Sequence, residues 1–347
     1  INKTDVGRGF FVAEKMSEVY ELYDVTIDHV GRGRGAALLY TDKGVWQLRE
    51  AGSGEKRLLA EYEFKEHMYE AGVRHIDRLV KNKEGALVTC DRYGNPFVMR
   101  MYFDGREMNV TNRNEILRAV DNLVALHAAG AQVWRAFDKD MQVREKMDVR
   151  RRNRELKRVY NYIKKQNPKR EFESLFLRAF PYFYEQGIAC GTAQAGPSGP
   201  LLEYAGMDGN VHIGYCHGMY NHHSILFCGS GEDRCLATIN FDKYHVGNQL
   251  QDLYYFTRKT VEKNGYSFSL LKQILERYGD GCALSGADVR YIYQQYCYPE
   301  KFYKLANQYM NGSKARISPK MIEKLNRILD EEGKKQALLA KLYEYHI

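Results

Sequence analysis

The hydrophobic pattern of this 347-residue chain changes once, close to residue 103. Before that point, short apolar runs of β type alternate with glycine-containing turns, including a hairpin turn predicted at residues 91–95. One amphipathic helix is predicted there, marked by Leu58 near its start and by Gly72 as its terminator. After it, helical periodicity continues almost to the C-terminus, starting with a helix predicted from Asn114 to Ala129 that Gly130 ends. Further helices are predicted over residues 139–165 and 171–186, and a turn-rich loop over residues 191–200. The predicted fold class is α+β, with a small antiparallel-sheet N-lobe over residues 1–102 and a larger, mainly helical C-lobe over residues 103–347.

Length and composition agree with a two-lobed globular protein. The chain exceeds the usual size of a single hydrophobic core. A hydrophobic fraction of 44% and a charged fraction of 28% are ordinary, and no apolar run is long enough to span a bilayer. The N-terminus has no charged-then-apolar signal pattern, which predicts synthesis in the cytoplasm. The seven cysteines show no CxxC spacing, which favours free thiols over structural zinc.

Two segments of the predicted C-lobe, residues 217–226 and 239–242, have the spacing of a phosphotransferase active site. Phosphoryl transfer needs an aspartate to deprotonate the attacking hydroxyl, and an amide and a second aspartate to hold magnesium. These three places are occupied by Met219, Ser224 and Asn240. A thioether cannot accept a proton at neutral pH, and a neutral hydroxyl or amide lacks the anionic oxygen that magnesium favours. The sequence therefore predicts that no catalytic residue is intact.

Asp242 is the one carboxylate that keeps a metal site open. It lies two residues after Asn240, and alternation along an extended segment places both side chains on the same face. Asp242 could hold a metal if the loop shifted its register, but Met219 would still have no substitute as the base. Losing a positioned base typically costs about 10²–10⁴-fold in rate, so this alternative describes a slow enzyme.

Three residues are predicted to be the scaffold of the pseudo-active site: His217, Gly218 and Asp252. A histidine followed by glycine in a tight loop is typical of a hydrogen-bonding brace rather than a general base. Asp252 begins a helix predicted over residues 250–264, where it can accept hydrogen bonds from the loop and cap the positive end of the helix.

The glycines Gly33 and Gly35 lie between two strand-like runs of the N-lobe. A hairpin with this composition could let its backbone lie over phosphates, since glycine permits close approach. Arginines between the glycines equally suit an exposed hairpin. Both interpretations stay open.

The strand predicted over residues 45–49 occupies the place where a kinase lobe carries its phosphate-pairing lysine. Arg49 or Gln47 stands there instead. We expect Glu61 or Glu63, on the following helix, to pair with that residue, either as a structural ion pair or as part of a nucleotide contact. Arginine has a wider, planar head group, so the exchange is not conservative.

Basic residues concentrate between Arg150 and Arg170. This stripe could attract an anionic partner, although a long solvated helix face would have the same composition. No aromatic stacking platform accompanies the charge, so no specific nucleic-acid partner is expected.

Together these residues resemble the aminoglycoside phosphotransferase-like branch of the protein-kinase fold, and more closely the CotS-type spore coat proteins of endospore-forming bacteria. The resemblance covers nearly the whole chain. It rests on Arg34-Gly35-Ala36, residues 102–107, Leu126-His127, residues 216–226, Asn240-Phe241-Asp242, residues 252–259, and residues 298–302 with Asn307. In the family pattern the loop is similar to His-Gly-Asp followed five residues later by Asn, so Met219 and Ser224 depart from it. Asn240 is similar to what some coat members carry.

The resemblance implies a two-lobed protein-kinase-like fold and a coat or sporulation-associated role. We expect a non-catalytic structural or assembly component of the spore coat, made in the cytoplasm of the mother cell, without a cofactor or a membrane anchor. Its expected partners are other spore coat proteins. Two alternatives stay open: an atypical small-molecule kinase that uses Asp242 and Arg49 with ATP and Mg²⁺, and a nucleotide- or anion-binding module without chemistry.

Overall fold

The structure, a computed structural model, describes residues 17–33, 35–137, 148–193, 212–229, 235–312 and 319–345. They fall into two compact units, one made of residues 1–140 and 217–244 and the other of residues 141–216 and 245–347. The predicted mixture of an N-terminal antiparallel sheet with a helical C-terminal portion is confirmed. The lobe boundary predicted between residues 102 and 103 follows a different line from these units and stays a prediction.

The regular elements are named in chain order. The strands are β1 (Ile27–Gly33), β2 (Ala36–Thr41), β3 (Gly44–Glu50), β4 (Leu79–Val80), β5 (Val88–Cys90), β6 (Pro96–Met101), β7 (Gly105–Glu107), β8 (Ile213–Cys216), β9 (Ile225–Cys228), β10 (Cys235–Thr238) and β11 (His245–Asn248). The helices are α1 (Ser17–Tyr20), α2 (Glu55–Glu70), α3 (Arg113–Phe137), α4 (Val149–Lys164), α5 (Glu171–Ala193), α6 (Leu250–Lys263), α7 (Phe268–Gly281), α8 (Gly286–Cys297), α9 (Glu300–Asn311) and α10 (Pro319–Tyr343).

The first unit is built on a six-stranded antiparallel sheet in the order β1-β2-β3-β6-β4, with β5 also paired to β6. Alternation along β3 sends its side chains to opposite faces of this sheet. Trp46 and Leu48 join an apolar cluster that includes Tyr23 on one face. Gln47 and Arg49 lie on the other face, together with Val98, which packs against Leu58 of α2. The polar face of β3 is therefore the face that α2 covers.

A second, three-stranded sheet in the order β10-β9-β7 belongs to the same unit. It joins the segment after residue 217 to the N-terminal part of the chain, because β7 pairs with β9. Gly105 permits this pairing: a Cβ atom there would come within 2.7 Å of the Phe227 carbonyl oxygen. The close approach of the two backbones therefore requires glycine.

Helix α3 corrects one prediction, because it continues through Gly130 to Phe137. The apolar stripe does not stop at Gly130: this residue and Val133 are both buried on the same helix. Burial of that continuing stripe outweighs the weak helix propensity of one glycine, which costs only about 1 kcal/mol relative to alanine.

The second unit is mainly helical, with β8 and β11 paired as a two-stranded antiparallel sheet. Its core contains stacked aromatic rings from α5 and α9: the ring of Phe302 lies 4.8 Å from that of Phe176 and 4.4 Å from that of Phe183. The helix predicted over residues 139–165 is observed as α4 from Val149, and residues 139–147 lie outside the described part. Helix α5 extends beyond its predicted end at residue 186, and residues 194–200 of the predicted turn-rich loop are likewise not described.

Among the helices of the described residues, none combines the length and apolar character needed to cross a membrane.

The adjacent leucines of α2 provide a test of the packing beneath the sheet. Leu58 is 2% exposed, whereas Leu59 is 47% exposed. We expect Leu58→Ala to lower the free energy of unfolding by about 2–5 kcal/mol, because it leaves a cavity beside Val98. Leu59→Ala, the matched control on the same helix, should change it by about 0.5 kcal/mol or less.

Urea denaturation followed by tryptophan fluorescence measures this difference. Both tryptophans of the chain, Trp46 and Trp134, belong to the first unit, so the signal reports on that unit. Equal losses for the two variants would contradict the described packing of α2.

Candidate functional site

Four ionisable side chains are buried together in the first unit, and we call them the charge cluster: Glu61, Lys65, Asp77 and Arg100. The Lys65 Nζ atom lies 2.8 Å from a carboxylate oxygen of Glu61 and 2.7 Å from one of Asp77. Arg100 donates two hydrogen bonds to Glu61, and its Nη1 atom lies 3.8 Å from Asp77. Two carboxylates balance two cations, so each buried charge has an opposite partner, as burial requires.

Local geometry explains how these residues meet. Glu61 and Lys65 are four residues apart on α2, which places them one above the other on the same helix face. Arg100 comes from β6, on the sheet face that α2 covers. Asp77 lies just before β4, and its backbone oxygen accepts a further hydrogen bond of 2.7 Å from Lys65.

Glu61 and Arg100 are both charged at neutral pH. Burial works to raise the pKa of Glu61, but the charges of Lys65 and Arg100 outweigh it and lower that pKa to about 2. Burial likewise disfavours the charged form of Arg100, yet Asp77 and Glu61 raise the pKa of Arg100 above its usual value.

The cluster also anchors the segment after β10. Asp77 Oδ2 accepts a hydrogen bond of 2.8 Å from the backbone N–H of Asn240. Next to it, the Thr238 N–H donates to the His75 carbonyl oxygen at 2.8 Å, and Ile76 and Thr238 form an isolated parallel bridge. Asn240 has a φ angle of 67°, in the left-handed region that asparagine tolerates better than most residues. The backbone at this degenerate position is therefore fixed by a buried carboxylate.

Arg49 forms an ion pair with Asp242, and the Asp242 backbone oxygen accepts a hydrogen bond of 3.0 Å from Arg57. Burial opposes ionisation of Asp242, yet the hydrogen bond and charge of Arg49 hold the pKa of this carboxyl below its usual value. Asp242 is therefore an anion at neutral pH whose nearest cation is Arg49.

The predicted pairing of Arg49 with Glu61 or Glu63 is wrong. Gln47, not Arg49, lies opposite Arg100 in the register of β3 and β6. The cation that reaches Glu61 from the sheet is consequently Arg100, one strand further across, while Glu63 is exposed. Glu61 of α2 does pair with a cation from the sheet, but the cation is Arg100 of β6 rather than a residue of β3.

His217 connects two pieces of backbone. Its Nδ1 atom accepts a hydrogen bond of 3.1 Å from the Met219 N–H, so Nε2 carries the proton and donates to the Ile239 carbonyl oxygen at 2.9 Å. Both ring nitrogens are used in these bonds, and the ring is buried. This arrangement holds the loop against the end of β10.

Gly218 is required by two independent constraints. Its φ angle is 84°, in the left-handed region, and a Cβ atom would lie 2.1 Å from the Lys243 carbonyl oxygen. The loop from 217 to 226 can therefore pass the segment around Lys243 only with glycine at this position.

The hydroxyl of Ser224 is used within the loop itself. It accepts a hydrogen bond of 2.9 Å from the Asn221 N–H and donates one of 2.8 Å to the Asn221 carbonyl oxygen. Asn221 in turn donates to the Met219 carbonyl oxygen at 2.6 Å. At the position expected for a magnesium-binding amide, a buried serine instead closes a turn.

Met219, at the position of the expected base, has 41% of its surface exposed. Its backbone is held at both ends, through its N–H by His217 and through its carbonyl oxygen by Asn221. The side chain offers a thioether sulfur, which is a weak hydrogen-bond acceptor and no proton acceptor at neutral pH.

Gly33 and Gly35 belong to the β1–β2 hairpin. Gly35 has a φ angle of 69°, which suits the tight turn, and Arg34 lies outside the described residues. A Cβ atom on Gly33 would come within 3.1 Å of the Leu38 side chain. The hairpin itself therefore accounts for both glycines, and their contact with phosphate stays a prediction.

Two further predicted residues or segments lie in the second unit. Asp252 is buried in the first turn of α6, where a carboxylate suits the helix dipole, but its predicted hydrogen bond to the loop stays a prediction. The basic stripe forms the exposed side of α4. Its exposed cations are Arg150, Arg151, Arg154, Lys157, Arg158 and Lys164. Arg152 is half-buried and pairs with Glu300.

The metal-ligating residue types are not gathered into a site in the part of the chain that the structure describes. No group of three or more His, Cys, Asp or Glu side chains there is arranged to hold a metal ion. The rings of His222 and His223 are tilted by 37° with centroids 3.9 Å apart, and His223 Nδ1 lies 2.6 Å from Glu107 Oε2.

The charge cluster was missed from the sequence because its members are far apart in the chain. Only the spacing of Glu61 and Lys65 gives a local signal, as an i, i+4 pair. Arg100 offers a second signal, since it is a single cation within the otherwise apolar strand β6. Nothing local identifies Asp77.

Comparison with known proteins identifies a family and a fold. The family model described as "Spore coat putative kinase YutH" matches residues 16–197. No curated protein sequence matches the chain.

Solved structures of phosphotransferases share the fold. An aminoglycoside phosphotransferase from Alicyclobacillus acidocaldarius superposes with a TM-score of 0.76 at 15% identity, over 94% of each chain. Spectinomycin phosphotransferase APH(9)-Ia, in complex with ADP and spectinomycin, gives 0.65 at 10% identity, over 94% of this chain and 98% of that chain. Amicoumacin kinase hAmiN gives 0.60 at 13% identity, over 97% of this chain and 96% of that chain. At these identities the likeness concerns the fold alone.

Acid titration tests the charge cluster. The pKa of Glu61 is about 2 in the folded chain, against 4.5 for an ordinary glutamate. A lowered pKa contributes stability above pH 4.5 that is lost as the pH falls toward 2. The urea midpoint, followed by tryptophan fluorescence, should therefore decrease as the pH is lowered from 4.5 toward 2, and it should decrease less in Glu61→Gln.

At neutral pH, Glu61→Gln should cost about 3–5 kcal/mol, because Lys65 and Arg100 then share too little negative charge. Glu63→Gln, an exposed change of the same type on the same helix, should cost about 0.5 kcal/mol or less. If the two variants had equal stability and equal acid dependence, Glu61 would not carry a buried charge.

Alanine at Gly218 tests the loop. The left-handed backbone alone costs an L-residue about 1–2 kcal/mol, and the contact with the Lys243 oxygen adds to that cost. Gly94→Ala is the matched control, because Gly94 has a φ angle of 78° and open space around its Cβ position. We expect a larger loss of unfolding free energy for Gly218→Ala in the same denaturation assay. Equal losses would mean that the loop can move away from Lys243.

Proposed function

Since the chain belongs to the YutH family of kinase-like spore coat proteins, we propose that it is a pseudokinase that serves as a structural or assembly component of the bacterial spore coat. Its fold is that of a phosphotransferase, and its loop backbone is held by the contacts of His217 and Gly218. The chemical groups that phosphoryl transfer requires are replaced. The protein is then made in the mother-cell cytoplasm and acts in the coat.

Met219 is the observation that carries this proposal. Phosphoryl transfer to a hydroxyl uses an aspartate to orient and accept the proton. A thioether held at that position by backbone hydrogen bonds on both sides cannot do this. Ser224 is buried and committed to the turn of the same loop.

Magnesium, which the phosphotransferase fold implies, does not fit the residues present. Mg²⁺ prefers carboxylate and phosphate oxygens in near-octahedral geometry. Glu61 and Asp77 are each bound by Lys65 and Arg100, and Asp242 is bound by Arg49. A divalent cation would have to displace these cations, and Asn240 offers a neutral amide in place of a carboxylate. The cofactor expected for this protein is therefore none.

The ion pair of Arg49 with Asp242 and those of the charge cluster also support a structural role. Ion pairs that join β3, β6, α2 and the segment around Asp242 stabilise one arrangement of the unit without a ligand. We propose that the protein assembles with other spore coat proteins. The exposed cations of α4 add a surface to which an anionic partner can bind, with an affinity that falls as salt is added.

One alternative function has an observation in its favour. The Asp242 side chain is 45% exposed and ionised, and Arg49 beside it is a cation on β3. A nucleotide whose phosphates drew Arg49 away would free this carboxylate for a metal. The chain would then be a slow small-molecule phosphotransferase, or a nucleotide- or anion-binding module if no transfer followed.

A nucleotide assay separates these functions. The purified protein is incubated with labelled ATP and Mg²⁺ or Mn²⁺, and thermal midpoints are measured with and without millimolar nucleotide and metal. The pseudokinase proposal predicts no label transfer, no hydrolysis and no rise of the midpoint, since only a ligand that binds the native state raises it.

Two variants make the assay decisive. Transfer or hydrolysis that disappears in Asp242→Asn but persists in Asp104→Asn, an exposed aspartate of the same unit, would contradict the proposal in favour of the enzyme. A raised midpoint without transfer, lost in Arg49→Met, would favour the binding module.

A further inference from the structure

Cys228 and Cys235 lie opposite each other at the last pair of the β9–β10 ladder. The two strands are antiparallel, and their register pairs Cys235 with Cys228, Leu236 with Phe227, and Ala237 with Leu226. Side chains of directly paired residues stand on the same face of a sheet. The two thiols are therefore neighbours in space although six residues separate them in the sequence.

The register brings the two cysteines to the separation that a disulfide needs. The Ile239 N–H donates to the Ser224 carbonyl oxygen at 2.9 Å. Counting along the ladder in steps of two, the pair of Cys228 and Cys235 is of the hydrogen-bonded kind, with Cα atoms about 5.5 Å apart. Disulfides span Cα separations of about 4.4–6.8 Å. The backbone need not open for the two sulfurs to meet.

The surroundings of the two thiols differ. Cys228 is buried, and its sulfur lies where a Cβ atom on Gly105 would come within 2.8 Å of it. Burial, followed by the charge and the hydrogen bond of Cys235, raises the pKa of the Cys228 thiol to about 12. Cys235 is half-buried. A reagent from solution therefore reaches Cys235 before Cys228.

We propose that Cys228 and Cys235 form a reversible intramolecular disulfide when the protein meets a low-molecular-weight disulfide. The Cys235 thiolate attacks one sulfur of the reagent, forms a mixed disulfide and releases one small thiol. The Cys228 thiolate then attacks the Cys235 sulfur, forms the protein disulfide and releases the second small thiol. Two protein thiols are oxidised and one small disulfide is reduced to two thiols, so atoms and electrons balance.

This bond would join β9 and β10 at one end of their ladder. The loop of residues 217–224 and the segment from Asn240 to Asp242 adjoin the other end. β9 follows the loop of residues 217–224, and β10 leads into Asn240 and Asp242. Both strands belong to the sheet that contains β7. Because the pair is of the hydrogen-bonded kind, the Cβ atoms start about 5 Å apart and the bond would form with some strain. Strained disulfides are the more easily reduced ones, which is why we expect it to be reversible.

The experiment uses the full chain with its seven cysteines. The reduced protein is exposed to glutathione disulfide, the free thiols are alkylated in acid, and the protein is digested with trypsin and chymotrypsin. Cleavage after Phe227 and Arg234 places Cys228 and Cys235 on different peptides. We expect these two peptides to be linked by a disulfide and to separate on reduction with dithiothreitol. The bond should form at a rate that does not depend on protein concentration, because it is intramolecular.

Variants identify the order of the steps. In Cys228→Ser, Cys235 should stop at the mixed disulfide and keep one glutathione, and in Cys235→Ser Cys228 should remain a free thiol. Cys282→Ser, a half-buried cysteine of the second unit, is the matched control and should leave the 228–235 bond unchanged.

Three results would overturn the proposal. They are a wild-type chain in which Cys235 accumulates glutathione without closure, linkage of Cys235 to another cysteine, and a rate that rises with protein concentration. These readouts come from the wild-type chain, so they stand even if Cys228→Ser does not fold. The proposal is independent of whether the site around Asp242 binds nucleotide.

Discussion

The buried charge cluster is the interaction on which the rest of the first unit depends. Burying the cations of Lys65 and Arg100 would cost several kcal/mol each, by the order of magnitude known for buried ions (about 3–5 kcal/mol when a partner is removed), without Glu61 and Asp77 beside them. That requirement fixes α2 against β6 through Glu61, and it fixes the segment before β4 through Asp77. Because Asp77 also accepts from Asn240, the cluster positions the beginning of the Asp242 loop. One neutral group of four charges thereby holds α2, β6 and the backbone at Asn240 in place.

The same arrangement supports the proposal that the chain has a phosphotransferase fold without phosphotransferase chemistry. In a phosphotransferase, carboxylates of the cleft neutralise a metal and positive side chains neutralise phosphates. Here the positive and negative side chains neutralise each other: Arg49 with Asp242, and Arg100 and Lys65 with Glu61 and Asp77. Under that proposal, these ion pairs neutralise the charges that a metal and phosphates would otherwise neutralise.

Local features of this protein could be predicted from the sequence, and long-range ones could not. The strands around β3, the turn between β5 and β6 and the loop of residues 217–226 follow from short-range spacing, which composition and periodicity report. Gly218 was predicted as scaffold, although its close approach to Lys243 is visible only in three dimensions. The partner of Arg49 was predicted wrongly because the choice depends on which residue of β6 lies opposite β3. The cation that pairs with Glu61 lies on β6 (Arg100) and not on β3 (Arg49), and no local pattern in the sequence indicates which of the two strands supplies it.

Electron paramagnetic resonance of Mn²⁺ in the presence of adenine nucleotide tests the central claim most directly, because bound and free manganese give different signals. The account predicts that wild-type protein leaves the amplitude of the manganese–nucleotide signal unchanged at millimolar concentrations, since Arg49 already neutralises Asp242. The account would be contradicted if the wild-type chain reduced the signal amplitude and the Asp242→Asn variant did not. That result would show that the site around Asp242 holds a metal.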